Sequence, residues 1–203
     1  MVAIAICLAS TTMFLGCDKD DKEPPKDPLT YDKGVVINGV KWATRNVAAP
    51  GTFAANPEDA GMFYQWNRKK AWPTTGNITD WNTTFPEGNT WEKSNDPSPA
   101  GWRVPTLNEI ETLFDNEKVT HELTEVNGVY GRKFTDKAKG NSIFFPAAGF
   151  RYFNDGTLYV DGRGGYWSST PSENNNTYFL NLKEGRVGIF YGSIGYSVRS
   201  VEN

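Results

Sequence analysis

Cysteine and histidine are scarce in this chain, whose 203 residues include two cysteines and one histidine. Cys7 lies inside an apolar N-terminal stretch and Cys17 directly follows that stretch. We therefore expect the remaining domain to contain no free thiol, no disulfide and no cysteine-based metal site. The lone His121 lies in the polar run 118–122, and we predict a solvated turn residue there. A Ser-His-Asp hydrolase and a histidine-based transition-metal site are not expected.

Positive charge is not in excess either. The formal net charge is −3 and no cluster of Lys and Arg stands out, which argues against a nucleic-acid partner. The glycine-rich segment 162–165 leads into strand-like residues rather than a helix, so it does not favour phosphate binding. Asn and Asp at 95–96 and 154–155 are turn formers first, and we predict no metal ion and no cofactor.

The apolar run at the N-terminus is short. Residues 1–16 carry no charge, and their apolar part is too short for a stable membrane-spanning helix, which indicates an export signal. The sequence Leu15-Gly16-Cys17 resembles the bacterial lipobox, in which small residues precede an invariant cysteine. We predict that residues 1–16 are a lipoprotein signal peptide and that Cys17 is acylated, with palmitate among its acyl chains.

The segment after Cys17 is polar and contains several prolines. It cannot bury much apolar area, so we predict that residues 17–33 are a flexible, acidic tether. A lysine followed by acidic residues at 19–23 resembles the surface-export signal of Bacteroidetes lipoproteins. We expect the outer membrane as a partner through the lipid anchor. We place the domain on the cell surface, with a periplasm-facing location as the alternative.

Residues 34–203 predict a single domain in which two helices precede a run of short strands. We predict the first helix over 57–72, where apolar residues have near-helical spacing. We predict the second over 105–114, because Thr106 and Glu109 have the spacing of a capping box. Strand reversals are predicted at Asn38-Gly39, Asn127-Gly128, 154–156 and 183–185. This order of elements is typical of an α+β fold.

Aromatic side chains stand out in the polar loops. The stretch 73–100 is too long for a simple connector, which indicates a functional excursion. Rings beside Asn, Thr, Ser and Gly can stack on sugar faces while their neighbours bond hydroxyl groups. The alternative is that these rings pack over the long loop as a satellite core. The candidate ligand-binding residues are Trp81, Trp91, Tyr191 and Tyr196.

Six motifs occur in an order that resembles the Fibrobacter succinogenes major paralogous domain, and together they cover about residues 34–203. The motif at 99–106, Pro-Ala-Gly-Trp-Arg-Val-Pro-Thr, is followed by Glu109 and Leu113 at the spacing of that domain. The other matching segments are 42–47, 61–66, 145–151, 166–170 and 195–201.

The last two motifs also resemble the C-type-lectin-like fold, including its formylglycine-generating branch. That resemblance implies an α+β domain with two helices, a twisted antiparallel sheet and long loops. The enzymatic branch requires active-site cysteines, and the corresponding position here is Ser200, so no catalytic residue is carried over. Within that fold we expect Trp102, Pro105, Trp167 and Arg199 to serve the core.

The hypothesis we favour is a surface-anchored, non-catalytic domain for binding or adhesion, with a glycan or another protein as ligand through the loop 73–98. A structural subunit of a fimbrial or envelope assembly is the first alternative. The second alternative is an unrecognised carbohydrate-active enzyme, which would need two carboxylates about 5–10 Å apart in a cleft.

Overall fold

The computed structural model describes residues 27–174 and 176–203, so the predicted signal peptide (1–16) and Cys17 lie outside the described residues. Within the described part the chain is mostly β-structure. The described residues contain a single short α-helix, α1 (Leu107–Glu111), which a 3-10 turn over Thr112–Phe114 extends. Another 3-10 turn covers Lys93–Asn95. The strands are β1 (Val35–Ile37), β2 (Val40–Trp42), β3 (Met62–Tyr64), β4 (Ala71–Pro73), β5 (Trp102–Arg103), β6 (Val119–Val126), β7 (Val129–Asp136), β8 (Ser142–Pro146), β9 (Phe150–Arg151), β10 (Leu158–Tyr159), β11 (Gly165–Pro171), β12 (Asn176–Asn181), β13 (Arg186–Tyr191), β14 (Tyr196–Ser197) and β15 (Val201–Glu202).

The expected α+β, C-type-lectin-like fold with two helices is wrong, and the error lies in the first helix. The stretch 57–72 forms β3 and the beginning of β4, which pair antiparallel with Phe63 opposite Trp72. Strand β3 lies inside a sheet, so Phe63 and Tyr64 are both fully buried. A strand buried on both faces lacks the alternation of apolar and polar residues that identifies a strand in a sequence.

The second predicted helix is confirmed, although it is short. Thr106 caps it, and its hydroxyl accepts a hydrogen bond from the backbone amide of Glu109 at 3.3 Å. The Glu109 carboxylate in turn accepts from the amide of Thr106 at 2.8 Å, which completes the capping box. Ile110 and Leu113 are the buried residues of this segment, and they anchor it to the core.

The strands of the described residues form four sheets. The largest has six strands in the order β13-β12-β11-β14-β3-β4, and β11 and β14 run parallel in it. A four-stranded sheet has the order β1-β2-β15-β5, and a three-stranded sheet has the order β6-β7-β8. The β9–β10 hairpin forms a small sheet of its own. Strand β13 is an edge strand of the six-stranded sheet, and its position determines where the candidate site lies.

The predicted strand reversals are confirmed. Asn38 and Gly39 have φ angles of 44° and 84°, and Asn127 and Gly128 have 49° and 81°, as a two-residue turn of type I′ requires. The turn at 154–156 reverses β9 into β10, and the turn at 183–185 reverses β12 into β13. The second of these turns contributes Lys183 and Glu184 to the candidate site described below.

Two clusters of buried residues form the core. One lies beside β6–β8 and includes Phe134, Phe145 and Tyr166, and the other lies on the six-stranded sheet and includes Trp66 and Trp167. Arg199 is fully buried, as expected for a core residue. Its guanidinium donates to the Asn46 side chain at 2.9 Å and to the carbonyls of Ala43 and Phe144 at 3.3 and 3.1 Å.

The last residues of the predicted tether contact the domain. The Asp32 carboxylate is buried and pairs with Arg45 Nε at 3.2 Å, and it also accepts from the Thr44 hydroxyl at 2.8 Å. The chain is therefore fixed to the domain from about this point onward. Among the described residues, no helix has the length and apolar character needed to cross a membrane.

Candidate functional site

Two of the four predicted aromatic residues fix the long loop to the domain. The ring of Trp81 packs on Trp72 with 4.9 Å between centroids, and its indole N–H donates to the carbonyl of Phe153 at 3.0 Å. Trp91 packs edge-on against the buried Trp66 at 5.6 Å. The contacts of Trp81 and Trp91 match the satellite-core alternative stated for the loop.

The other two predicted residues lie at a different place. Tyr196 is buried and its ring stacks on Phe179, with 4.6 Å between centroids and 24° between planes. Tyr191 ends β13, and 37% of it is exposed. The structure therefore does not gather the four predicted side chains on one surface. It places Tyr191 and Tyr196 near the same groove.

An open groove of ≈ 720 Å³ runs along the β12–β13 hairpin. The β9–β10 hairpin and the segment before β11 face that hairpin across the groove. Aromatic and apolar side chains dominate the lining, and charged and amide side chains add polar groups. The lining consists of Phe150, Tyr152, Arg163, Gly164, Phe179, Asn181, Lys183, Glu184, Arg186, Val187, Gly188, Ile189, Phe190, Ile194 and Tyr196.

The floor of this groove is the stacked pair Phe179 and Tyr196, and two glycines make room for it. Gly188 lies opposite Phe179 in the register of β12 and β13, and a Cβ at Gly188 would come within 2.6 Å of the Phe179 ring. A Cβ at Gly165 would collide with the Tyr196 ring in the same way. Since neither glycine has a positive φ angle, their role here is close approach rather than backbone conformation.

Charged and polar side chains surround this aromatic floor. Arg163, Lys183 and Arg186 line the groove with a single carboxylate, that of Glu184. Arg186 contacts Glu184 at 2.5 Å, and both side chains are largely exposed. Burial raises the pKa of Tyr196, so its phenol stays neutral and able to donate a hydrogen bond at physiological pH. The groove thus combines ring faces with hydrogen-bonding groups.

A continuous row of aromatic rings, here called the aromatic ribbon, extends from the groove across the surface. Neighbouring centroids along it lie 4.5 to 6.0 Å apart, and its most exposed members are Phe85 (44%), Tyr159 (39%) and Tyr191 (37%). Three of its rings also line the groove. The ribbon consists of Phe85, Tyr191, Phe190, Phe153, Tyr152, Tyr159 and Phe150.

The sequence prediction missed most of the aromatic ribbon. The signal that identifies it is the density of rings on both sides of a predicted turn, at 150–153 and at 158–159, and a second pair of rings at 190–191. Alternation within these short strands does not show which rings are exposed, because β9 and β10 have only two residues each. Phe85 joins the ribbon from the long loop, through its contact with Tyr191 at 5.7 Å.

The prediction of His121 as a solvated turn residue is wrong. His121 lies in β6, partly buried, and its ring packs between those of Phe114 and Phe134. Burial and the neighbouring Arg132 lower the pKa of the imidazole. Across residues 27–174 and 176–203, no group of three or more His, Cys, Asp or Glu side chains is arranged to hold a metal ion.

Comparison with known proteins defines the family of this chain. No curated protein matches the chain, and no solved structure matches it. The matched region of the family comparison falls within the stretch 34–203 that carries the six sequence motifs. A family model described as the Lcl C-terminal domain matches residues 58–202, more than half of the chain, and the chain therefore belongs to that family.

Proposed function

We propose that this chain is a non-catalytic, surface-anchored domain that binds glycans through the groove and the adjoining aromatic ribbon. The observation that carries the proposal is the aromatic ribbon, whose rings Phe85, Tyr159 and Tyr191 are exposed beside an open groove. Flat rings bind the apolar faces of sugars, and the polar groups at the rim bond their hydroxyls. Membership in the Lcl C-terminal domain family supports a surface-located or secreted, non-catalytic domain.

The carboxylates of the groove support the non-catalytic part of the proposal. Glycoside hydrolysis commonly requires a pair of carboxyl groups flanking the scissile bond. Glu184 is the only carboxylate among the residues lining the groove, and it pairs with Arg186. A carbohydrate-active enzyme would need a second carboxylate here.

The membrane attachment is part of the proposal and rests on the N-terminal sequence. The lipobox-like segment ending at Cys17 and the acidic stretch behind it support an outer-membrane lipoprotein on the cell surface, with a periplasm-facing location as the alternative. The resemblance to the Fibrobacter succinogenes paralogous domain supports the same assignment. The variant Cys17→Ala is expected to enter the soluble fraction and to lose labelling by palmitate, and continued labelling would contradict the lipid assignment.

The glycan proposal is tested by binding of the full-length chain to a glycan array. The variants Tyr152→Ala and Phe190→Ala each remove one ring that belongs to both the groove and the ribbon. The matched control is Tyr130→Ala, which removes an exposed ring (44%) on β7 outside the groove. We expect both groove variants to lose array binding and the control to keep it. Equal binding by all variants would refute the assignment of the site. Absence of binding by the unmodified chain would refute a glycan as the ligand.

A second candidate function, as a structural subunit, is favoured by the edge strand β13. This strand has six residues and pairs on one side only, with β12, among the described residues. Ile189 on it is 52% exposed. An exposed edge strand with an apolar side chain is a template for pairing with another chain. Cross-linking of intact cells distinguishes the candidates, since a subunit is captured in large assemblies and a monomeric receptor is not.

A further inference from the structure

One wall of the groove is held in place by a buried arginine from another sheet. Arg132 on β7 donates from Nε to the carbonyl of Leu182 at 2.7 Å and from Nη2 to the carbonyl of Lys183 at 3.3 Å. These carbonyls begin the turn that connects β12 to β13. The turn fits closely around the guanidinium, because a Cβ at Gly185 would come within 2.9 Å of it.

The third contact of Arg132 is His121, the single histidine of the chain. Nη1 of Arg132 lies 2.7 Å from Nδ1 of His121. A guanidinium can only donate hydrogen bonds, so this contact requires a neutral imidazole that carries its proton on Nε2. The arginine is therefore fixed from one side by the turn carbonyls and from the other side by a neutral histidine.

Glu125 and Asp136 share this face of the β6–β7 hairpin, and Arg132 is the charged group that contributes to the lowered pKa of His121. The 3-10 turn after α1 contributes the Phe114 ring, and the residue paired with His121 on β7 is Phe134. The charged side chains of Glu122 and Lys133 are paired with each other one position along, on the opposite face of the β6–β7 hairpin. The charge of Arg132 therefore determines how easily His121 takes up a proton.

We propose that Arg132 is a positioning residue for the 182–185 wall of the groove, and that protonation of His121 releases this wall. Protonation places an N–H where Arg132 needs an acceptor, and it brings a second positive charge against the guanidinium. The contact at 2.7 Å then becomes repulsive. Lys183 and Glu184, which line the groove, then lose the hydrogen bonds that fix the start of their turn. This inference rests on the proposed function for its effect on ligand binding, but the movement of the wall does not depend on it.

The direction of the pH effect follows from the shift of the pKa. Burial and Arg132 lower the pKa of His121 below its ordinary value of 6.5. The unfolded chain therefore binds the proton at a higher pH than the folded one, and folding stability falls as the pH decreases below about 6.5. Above that pH the contact is complete, so the wall is fixed at neutral pH and is released on acidification.

The test is an NMR titration of the isotope-labelled full-length chain without any glycan. His121 gives the single imidazole signal of the protein, and the amide of Gly185, which bonds the carbonyl of Asn181 at 2.9 Å, reports on the wall. We expect the imidazole to titrate below 6.5 and the Gly185 amide to shift with the same midpoint. A Gly185 amide that stays constant through the His121 titration, or an imidazole midpoint at or above 6.5, would overturn the proposal.

Two variants separate positioning from a purely structural role. In His121→Gln the side-chain carbonyl can accept from Arg132 but cannot titrate, so the Gly185 shift should disappear while the neutral-pH spectrum of the turn is retained. In His121→Phe the acceptor is lost, so at every pH the amide shifts of the turn should match those of the unmodified chain at acid pH. The glycan array, read at about pH 7 and about pH 5, should show several-fold weaker binding at acid pH for the unmodified chain and not for His121→Gln. Absence of array binding at both values would refute the proposed function and leave the NMR outcome valid.

Discussion

Arg151 offers the sharpest test of how the irregular segments beside the β9–β10 hairpin are held. Its side chain is 99% buried, and its guanidinium donates to four backbone carbonyls. The acceptors are Pro73 at 2.8 Å, Gly156 at 2.9 Å, and Thr75 and Gly76 at 3.0 Å each. No carboxylate among the described residues pairs with this cation, so carbonyl dipoles alone compensate its charge. Burial lowers the pKa of Arg151 accordingly.

The cost of removing this guanidinium can be estimated from what its acceptors do afterwards. Thr75 and Gly76 lie in an exposed loop, so water can replace the arginine at their carbonyls. Pro73 is half-buried and Gly156 is buried, and their carbonyls lose a partner that water replaces poorly. An unsatisfied buried acceptor costs about 1–3 kcal/mol. We therefore expect Arg151→Met to lower the free energy of unfolding by about 2–6 kcal/mol.

Urea denaturation of the full-length chain measures this loss. With a denaturant slope of about 2 kcal/mol per molar urea, a loss of about 4 kcal/mol lowers the midpoint by about 2 M. The control is Arg186→Met, which removes an exposed arginine whose surface pair with Glu184 contributes at most about 1 kcal/mol. Arg151→Lys should remain strongly destabilised, because an ammonium cannot reproduce the planar set of donors. Full stability in Arg151→Lys would show that charge alone is required and would refute the reasoning.

Three further substitutions test other parts of the structure. Gly188→Ala drives a methyl group into the Phe179 ring, and we expect a loss of about 1–3 kcal/mol in urea denaturation together with weaker array binding. The hydroxyls of Ser98 and Ser200 lie 2.7 Å apart, so cysteines at both positions should form a disulfide. Closing a loop of about 100 residues should raise Tm by several degrees, and adding reductant should reverse this increase. If reductant does not change Tm, the geometry of this pair is contradicted. Thr106→Ala removes the cap of α1 and should lower the free energy of unfolding by about 1 kcal/mol, or Tm by roughly 2–4 °C, as calorimetry can show.

The sequence predicted those features of the fold that depend on neighbouring residues. The Asn-Gly pairs at 38–39 and 127–128 specify their turns because both positions need a positive φ angle. The capping box of Thr106 and Glu109 likewise involves residues three apart, and it places the start of α1 correctly. Each of these signals is complete within a few residues, so the rest of the chain does not need to be known.

The first helix was mispredicted and most of the ligand site was missed, because both depend on residues that are distant in the sequence. Whether Phe63 and Tyr64 form a strand depends on β14, which is distant in the sequence and pairs with β3 in the sheet. Trp81 has the polar neighbours of a sugar-binding residue. Its exposure, however, is set by Trp72 and by the carbonyl of Phe153 across the fold. Composition identifies which rings have the chemistry to bind a sugar, and only packing decides which of them solvent can reach.

Buried arginines explain how a domain with so little helix keeps its irregular segments fixed. Loop carbonyls have no partner in a helix or a sheet, yet buried carbonyls must be satisfied. Arg151 bonds Gly156 in the turn between β9 and β10, and Arg132 bonds the turn between β12 and β13. Residues of both hairpins line the groove. The hairpins that line the groove are therefore fixed by hydrogen bonds that exist without a ligand, and a preformed site loses less conformational entropy when it binds. This arrangement also makes the site sensitive to anything that disturbs an arginine, which is the reason that the single histidine beside Arg132 matters.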